Sequence, residues 1–296
     1  MNYFDRVQKA VDYMEKNITE ELSLEDIAAE VYTSLFHFHR IFQAITGDTM
    51  KEYIRKRRLS LAGRELAETD IRILDAALKY GYETPEAFTK AFKKLHGITP
   101  SECKRRKGCF YYKDKAYVHI YKTQLEGGKE IMDYKIIEKD SFKIVGRELR
   151  VRNDNGDNYR LIPEFWDKCI KEGMFEEFEA MPNIINKQSK ASMGMCMDFD
   201  GINTFSYLIC VEVSNFDCIP EGMIGKTIPA SKYAVFTAEA KSKEDTPKAI
   251  QQTWDNIYGK WFPASSYERT DGPDFELYDE RCDLERPQVD IYIPIK

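Results

Sequence analysis

One pattern of residues occurs twice in the first part of the chain, about fifty positions apart. The two copies are SLFHFHRIFQAITGDTMKE at 34–52 and TPEAFTKAFKKLHGITPSE at 84–102. Both copies place apolar residues at the i, i+3, i+4, i+7 spacing of one α-helical face. These residues are Phe38, Ile41, Phe42 and Ile45 in the first copy and Phe88, Ala91, Phe92 and Leu95 in the second. The repeat therefore predicts two similar amphipathic helices, each with its own buried face.

The segment before each copy predicts a shorter helix and a tight turn, EDIAAEVYT in the first case and ILDAALKYGYE in the second. A short helix, a turn and a longer amphipathic helix form a helix-turn-helix motif. At about 100° per residue, the faces opposite the apolar stripes hold the candidate DNA contacts. They are Phe36, Arg40 and Gln43 in the first helix and Glu86, Lys90 and Lys93 in the second, with His39 and Thr89 on the matching flanks.

A long amphipathic helix, TMKEYIRKRRLSLAGRELAE, joins the two motifs. Two motifs at a fixed spacing can enter successive major grooves about 34 Å apart. The duplication therefore predicts that one chain binds both halves of a double-stranded DNA site as a monomer. Two basic clusters, RKRR at 55–58 and KRRK at 104–107, favour DNA as the partner.

Charge is divided unevenly along the chain. Residues 1–107 contain 19 Lys and Arg against 17 Asp and Glu, whereas the remaining residues contain 25 against 33. The first part thus carries +2 and the second −8 of the formal net charge of −6. The start has no apolar stretch typical of an export signal, and no uncharged apolar run approaches about 18 residues. We therefore expect a cytoplasmic protein without a membrane span.

The sequence pattern changes after residue 107. Residues 108–131 have no helical period and predict a linker, and from 132 short alternating runs such as FKIVGREL and TFSYLICVEV predict strands. Two helical stretches interrupt the strands, so that the order strand, helix, two strands occurs twice. This pattern predicts an all-α domain with two helix-turn-helix motifs over 1–107. A duplicated α+β domain follows over 132–296, and its halves meet about a pseudo-two-fold axis.

Both parts of the chain resemble known families. The stretches SLEDIAAEV, SLFHFHRIFQAITGDTMKEYIRKRRLSLAGREL and ILDAALKYGYETPEAFTKAFKKLHGITPSECKR resemble the DNA-binding domain of AraC/XylS transcriptional regulators. The stretches FSYLICVEV, IYGKWFPASSYERTDGPDFELYDE and VDIYIPIK resemble the GyrI-like effector-binding domain, in the order found in Rob-type regulators. The resemblance implies a sequence-specific regulator of promoter DNA under small-molecule control, with RNA polymerase as a possible further partner and no cofactor.

The AraC/XylS resemblance also implies which residues face the bases, namely the positions of Phe36, His39, Arg40, Glu86, Thr89 and Lys90. The helical geometry above agrees with this set. Arg40 is suited to hydrogen-bond guanine O6 and N7, Glu86 to accept from cytosine N4, and Phe36 to contact a thymine methyl group. The alternative for each residue is an ordinary exposed side chain. That alternative is weak for Phe36, because this face offers the ring no apolar partner.

GyrI-like domains carry a carboxylate and aromatic residues in a ligand cavity between their halves. The resemblance implies five candidate ligand residues here, Glu212, Glu276, Tyr207, Tyr278 and Tyr292. A carboxylate in an apolar cavity is stabilised by a cation, and aromatic faces attract the same cations. We therefore expect an amphipathic and cationic effector. A solvent-facing strand position is the alternative for each Glu, and Trp166, Trp254 and Trp261 are expected in the core.

Other functions are weighed against the same residues. His37 and His39 are two positions apart on a helix and cannot share a metal ion, so no metal site is predicted. A hydrolase-like enzyme or a ligand-sequestering module remains the alternative for the second domain. A DNA-repair methyltransferase would need a cysteine in a Pro-Cys-His-Arg-like sequence, and none of the seven cysteines lies in one. A regulator without enzymatic activity is the favoured interpretation.

Overall fold

The computed structural model describes residues 3–32, 35–108, 111–118, 132–152, 157–185, 191–199 and 204–296. The chain divides into two compact units, Met1–Lys129 and Glu130–Lys296. Within the described ranges, no helix is long and apolar enough to cross a membrane.

Helices build the described part of the first unit. They are α1 Tyr3–Lys16, α2 Leu24–Glu30, α3 Leu35–Thr46, α4 Met50–Glu68, α5 Ile73–Lys79, α6 Pro85–His96 and α7 Pro100–Arg106. Thr49 with Glu52 and Thr99 with Glu102 form reciprocal capping boxes at the starts of α4 and α7. Gly97 ends α6 in the left-handed conformation at φ 75°. The same local residues thus set the same helix ends in both copies of the repeat.

The two predicted apolar stripes are the cores of the two motifs. Phe38 and Phe42 of α3 are fully buried, and so are Phe88 and Phe92 of α6. The Phe42 ring packs edge-on against Tyr53 of α4, with 5.7 Å between ring centroids. Full burial of one such side chain stabilises the fold by about 1.5–3 kcal/mol. The helix-turn-helix pairs α2–α3 and α5–α6, joined by α4, confirm the all-α prediction.

Residues 111–118 lie within the predicted linker but pack on the helical unit. The backbone N–H of Lys113 donates to Ser60 Oγ at 2.9 Å, and that of Ala116 donates to the Tyr53 hydroxyl at 3.2 Å. The Lys113 ammonium lies 2.8 Å from Asp48 Oδ2. This segment therefore belongs structurally with the helices, while the domain boundaries at 107 and 132 stay predictions.

The second unit contains one eight-stranded sheet and several helices. The strands are β1 Lys135–Lys139, β2 Phe142–Arg152, β3 Ser192–Met197, β4 Thr204–Val213, β5 Ile224–Ile228, β6 Ser231–Glu239, β7 Asp274–Tyr278 and β8 Gln288–Ile295. The main helices are α8 Asn158–Lys171, α9 Met174–Ala180 and α10 Thr246–Asn256, the last continued by the π-helical turn Ile257–Trp261. All strand pairs are antiparallel, in the order β1-β6-β8-β7-β3-β4-β2-β5.

The strand order has the predicted two-fold pattern. The units β2-α8-β3-β4 and β6-α10-β7-β8 are equivalent, and β3 pairs with β7 at the seam between them. Strands β1 and β5 cover the two edges of the sheet and were absent from the sequence prediction. Both are only five residues long, and their partly exposed, mixed sequences KIIEK and IGKTI carry little strand signal. The duplicated α+β prediction is confirmed.

The sheet is strongly curved around an apolar core. The rings of Phe142 on β2 and Phe275 on β7 lie 6.2 Å apart, although β3 and β4 separate those strands. Three strand spacings in a flat sheet would span about 14 Å. The concave face therefore closes on itself around residues such as Met195, Leu208 and Tyr233. Helices α8 and α10 cover the opposite face of the sheet. Their side chains donate hydrogen bonds to residues of β4 and β7 there.

Candidate effector site and candidate nucleic-acid interface

Glu276 lies at the seam between the two halves of the effector-type domain. It occupies the middle of β7, directly opposite Gly194 of β3. Its Oε1 accepts a hydrogen bond from Trp254 Nε1 at 2.8 Å, and its Oε2 accepts one from the Tyr278 hydroxyl at 2.7 Å. The structure thus places a carboxylate at the centre of the duplicated fold and fixes both of its oxygens with aromatic donors.

Two tryptophans occupy equivalent positions in the two halves. Trp166 is the ninth residue of α8 and Trp254 the ninth of α10, and an Asp follows each. Trp254 donates to Glu276, and Trp166 donates to the Tyr207 hydroxyl at 2.9 Å. Both were expected in the core, so sequence reasoning missed their polar role. Aligning FWDK with TWDN in the duplicated halves is the signal that would have found them. Trp261 is a core residue as expected, 4.9 Å from Phe236 between ring centroids.

Gly194 makes room for this arrangement. A Cβ atom at this position would lie 2.2 Å from the Tyr207 hydroxyl oxygen and 3.4 Å from Glu276 Oε2. Any side chain here would displace the Tyr207 ring. The absence of a side chain at Gly194 therefore allows Tyr207 to extend toward Glu276.

The phenols around Glu276 are held in their neutral form. Burial raises the pKa of Tyr207 well above its usual range, and the negative charge of Glu276 raises it further. Burial and Glu276 have the same effect on the pKa of Tyr278. The Trp166 ring packs edge-on against Tyr278 at 5.1 Å between centroids. Glu276 therefore lies in a low-dielectric site surrounded by aromatic rings that stay uncharged.

Two of the five predicted ligand residues lie elsewhere. Glu212 is paired with Ile144 in the β2–β4 register, and its carboxylate binds the Lys139 ammonium at 3.0 Å. Tyr292 stacks on Phe275 with 4.4 Å between ring centroids. Because residues alternate between faces along a strand, both lie on the concave side, away from Glu276. The grouping of Glu212 and Tyr292 with Glu276 is therefore wrong, whereas Tyr207 and Tyr278 do lie beside it.

Three cysteines of the described residues are held as protonated thiols. Burial raises the pKa of Cys169, Cys210 and Cys282. A thiol that stays protonated is a poor nucleophile. These groups therefore give no support to the covalent enzyme alternatives.

Predicted DNA contacts on α6 lie on its outer surface. Glu86, Lys90 and Lys93 are exposed and Thr89 is half-buried. Thr84 caps the start of this helix by accepting a hydrogen bond from the backbone N–H of Ala87 at 3.2 Å. The helix thus presents acidic, hydroxyl and basic side chains together from its first two and a half turns.

The first motif differs from this expectation. Arg40 and Gln43 of α3 are half-buried, but the His39 side chain is only 8% exposed. Burial of the His39 side chain disfavours direct base contact, and its predicted role in DNA binding stays a prediction. The neighbouring His37 is also buried, edge-on against Tyr3 of α1. The side chain of Phe36 lies outside the described part of the structure.

Comparison with known proteins assigns both units to families. Residues 135–295 match the family model described as integron-associated effector binding protein. The chain belongs to this family. Residues 27–106 match a helix-turn-helix domain model. The chain is therefore built as a DNA-binding transcriptional regulator of the AraC type with a C-terminal effector-binding domain, as the sequence predicted.

The chain is similar to individual proteins over different shares of its length. The transcriptional regulator Rob of Salmonella typhimurium is 25% identical over 279 residues, covering 90% of this chain and 87% of Rob. The HTH-type regulator YbfP of Bacillus subtilis is 46% identical over 100 residues, which are 34% of each chain. A solved structure of SAV2435 bound to tetraphenylphosphonium has 25% identity and a TM-score of 0.48, covering 56% of this chain and 94% of SAV2435.

Proposed function

We propose that this effector-binding family member is a monomeric transcriptional regulator whose effector is a lipophilic organic cation bound at Glu276. The observation that carries the proposal is the Glu276 carboxylate at the domain seam, held between Trp254 Nε1 and the Tyr278 hydroxyl. A buried carboxylate among aromatic side chains is stabilised by a cationic partner, which is why this position favours a cationic ligand. The proposal covers the ligand class and not a particular compound.

The surroundings of Glu276 favour a cation with an apolar body. Tyr207, Tyr278 and Trp166 provide aromatic surface beside the carboxylate, and rings attract cations through their π faces. The low local dielectric strengthens the attraction between the carboxylate and a positive charge. An anionic ligand would instead meet a like charge. The net charge of −8 on the residues after 107 also attracts cations, at longer range.

The helical unit is proposed to bind promoter DNA through one helix from each motif. Arg40 and Gln43 of α3 and Glu86, Thr89, Lys90 and Lys93 of α6 are the proposed contacts. The exposed, polar face of α6 supports this assignment for the second motif. His39 contributes less than expected, since its ring is buried.

The test of the effector proposal is a calorimetric titration of the full chain with tetraphenylphosphonium and with neutral triphenylphosphine oxide. We expect the cation to bind about tenfold more tightly, because pairing and ring contact together supply about 1–2 kcal/mol. Glu276→Gln keeps the shape of the side chain and should remove this preference. Equal affinities of the wild type for both compounds would contradict the proposal.

Glu212→Gln is the matched control. It removes a strand carboxylate of the same domain that lies on the concave face and is paired with Lys139. The preference for the cation should survive in this variant. Loss of the preference in both variants would indicate a nonspecific effect of domain charge.

A further inference from the structure

A pocket of about 300 Å³ lies within the helical unit, between the two helix-turn-helix motifs. The first motif contributes Leu24, the first residue of α2, and Leu22 just before that helix. The second motif contributes Tyr80–Tyr82 from the turn between α5 and α6. The linking helix α4 forms the side between them. The volume of the pocket is at the lower end of the range of small-molecule sites.

The lining of this pocket is cationic and apolar. Lys51, Arg55 and Arg58 line it from α4, at the i, i+4, i+7 spacing that brings them to one helical face. Leucine, isoleucine and tyrosine side chains supply most of the remaining wall, and no lining residue is an Asp or Glu. The pocket therefore combines an apolar wall with the guanidinium groups of Arg55 and Arg58.

The Arg58 guanidinium donates hydrogen bonds to uncharged backbone carbonyl groups. Its Nε donates to the backbone carbonyl of Ile18 at 2.7 Å, and one terminal nitrogen donates to the carbonyl of Glu20. Burial lowers the pKa of this guanidinium, as expected for a cation removed from water without a carboxylate beside it. A half-buried cation of this kind is stabilised by an anionic ligand.

Gly81 exposes the other end of the same guanidinium. Its backbone is left-handed at φ 80°, and a Cβ atom there would lie only 2.6 Å from the second terminal nitrogen of Arg58. The glycine therefore serves two needs, the turn before α6 and the space for Arg58. This second nitrogen lies beside Gly81, which lines the pocket together with Tyr82 and Arg55.

We propose that this pocket binds a small organic acid with an aromatic or branched apolar body. The carboxylate lies between Arg55 and Arg58, whose planar guanidinium groups match carboxylate geometry. The apolar body lies against Leu22, Leu24 and Ile54. A DNA phosphate shares the anionic chemistry but needs no apolar wall, so the lining favours the organic acid. Because the lining comes from both motifs, the bound acid bridges them.

The experiment titrates the full chain with 2-naphthoate, followed by naphthalene fluorescence. Neutral 2-naphthamide and inorganic phosphate are the comparison probes. We expect 2-naphthamide to bind about tenfold more weakly than 2-naphthoate, the value of one charge-assisted interaction. Arg55→Gln and Arg58→Gln should each weaken 2-naphthoate by a similar factor. Phosphate should compete poorly.

Several controls keep the outcome decisive. Arg58 also supports two backbone carbonyls, so Arg55→Gln, which changes an exposed side chain, decides the result if Arg58→Gln unfolds. Arg72→Gln removes an exposed arginine that is paired with Asp75 outside the pocket, and it should leave binding unchanged. Glu276→Gln should also leave it unchanged, which separates this pocket from the effector site.

Three results would overturn the proposal. Equal binding of 2-naphthoate and 2-naphthamide would remove the role of charge. Unchanged affinity in Arg55→Gln would place the ligand elsewhere. If phosphate competes as strongly as 2-naphthoate itself, the pocket recognises only the anionic group. Such a site would suit a DNA phosphate.

Discussion

Each unit of this protein is a duplication, but the two duplications have different outcomes. In the helical unit the copies keep equivalent residues at equivalent places, such as Thr49 and Thr99 at the helix starts and Phe42 and Phe92 in the cores. In the effector domain the equivalent positions of β3 and β7 hold Gly194 and Glu276, one without a side chain and one with a charge.

The partners proposed for the two units account for this difference. Two motifs on one DNA duplex meet two similar grooves, so each copy can work alone and keep the same residues. Two halves around one ligand share a single seam, where two carboxylates facing each other would repel. One copy therefore supplies Glu276 and the other supplies the space beside it.

The sharpest test of the first duplication is the loss of one DNA contact from each motif. We expect Arg40→Ala and Lys90→Ala each to cost about 1–3 kcal/mol of binding, at base pairs in different halves of one site. The double variant should cost about the sum of the two, because the motifs are separate. Competition binding to a randomised site library measures both effects.

Lys16→Ala is the control for the DNA experiment, since it removes an exposed positive charge from the end of α1. It should change affinity little and specificity not at all. If Arg40→Ala and Lys90→Ala weaken binding equally on every DNA sequence, the two residues contact phosphates. That result would contradict their predicted role in base recognition.

The second duplication is tested by filling the space at Gly194. Gly194→Ala places a Cβ atom in contact with the Tyr207 hydroxyl, and overpacking of this kind costs about 1–3 kcal/mol of unfolding free energy. Cation affinity should fall with it. Adding Tyr207→Phe removes the clashing oxygen, so the double variant should regain part of the stability in urea unfolding. An additive loss in the double variant would contradict the proposed packing.

The smallest effect separates the two equivalent tryptophans. Trp254→Phe removes a hydrogen bond to a carboxylate, worth about 1.5–3 kcal/mol, whereas Trp166→Phe removes one to a neutral phenol, worth about 0.5–1.5 kcal/mol. Urea unfolding should therefore give Trp166→Phe a free energy of unfolding about 1 kcal/mol higher than that of Trp254→Phe. Equal losses would show that the two halves are still energetically symmetric.

Elements that depend on local patterns were predicted correctly from the residues alone. The repeat predicted both helix-turn-helix motifs and their buried stripes, because helical periodicity and capping residues act within a few positions. The strand–helix–strand–strand order predicted the duplicated sheet. Glu276 and Tyr278 were also correctly placed together, because two residues two apart on one strand share a face.

Features that depend on contacts between distant segments could not be predicted in this way. Strand alternation relates residues along β4 or β7, but register and helix packing decide that Glu276 faces α10 while Glu212 faces the concave core. His39 is buried although its position on the helix allows exposure. The pocket at Arg58 likewise needs α2, α4 and the Gly81 turn to come together. Local sequence sets which side chains share a face, and packing sets what that face meets.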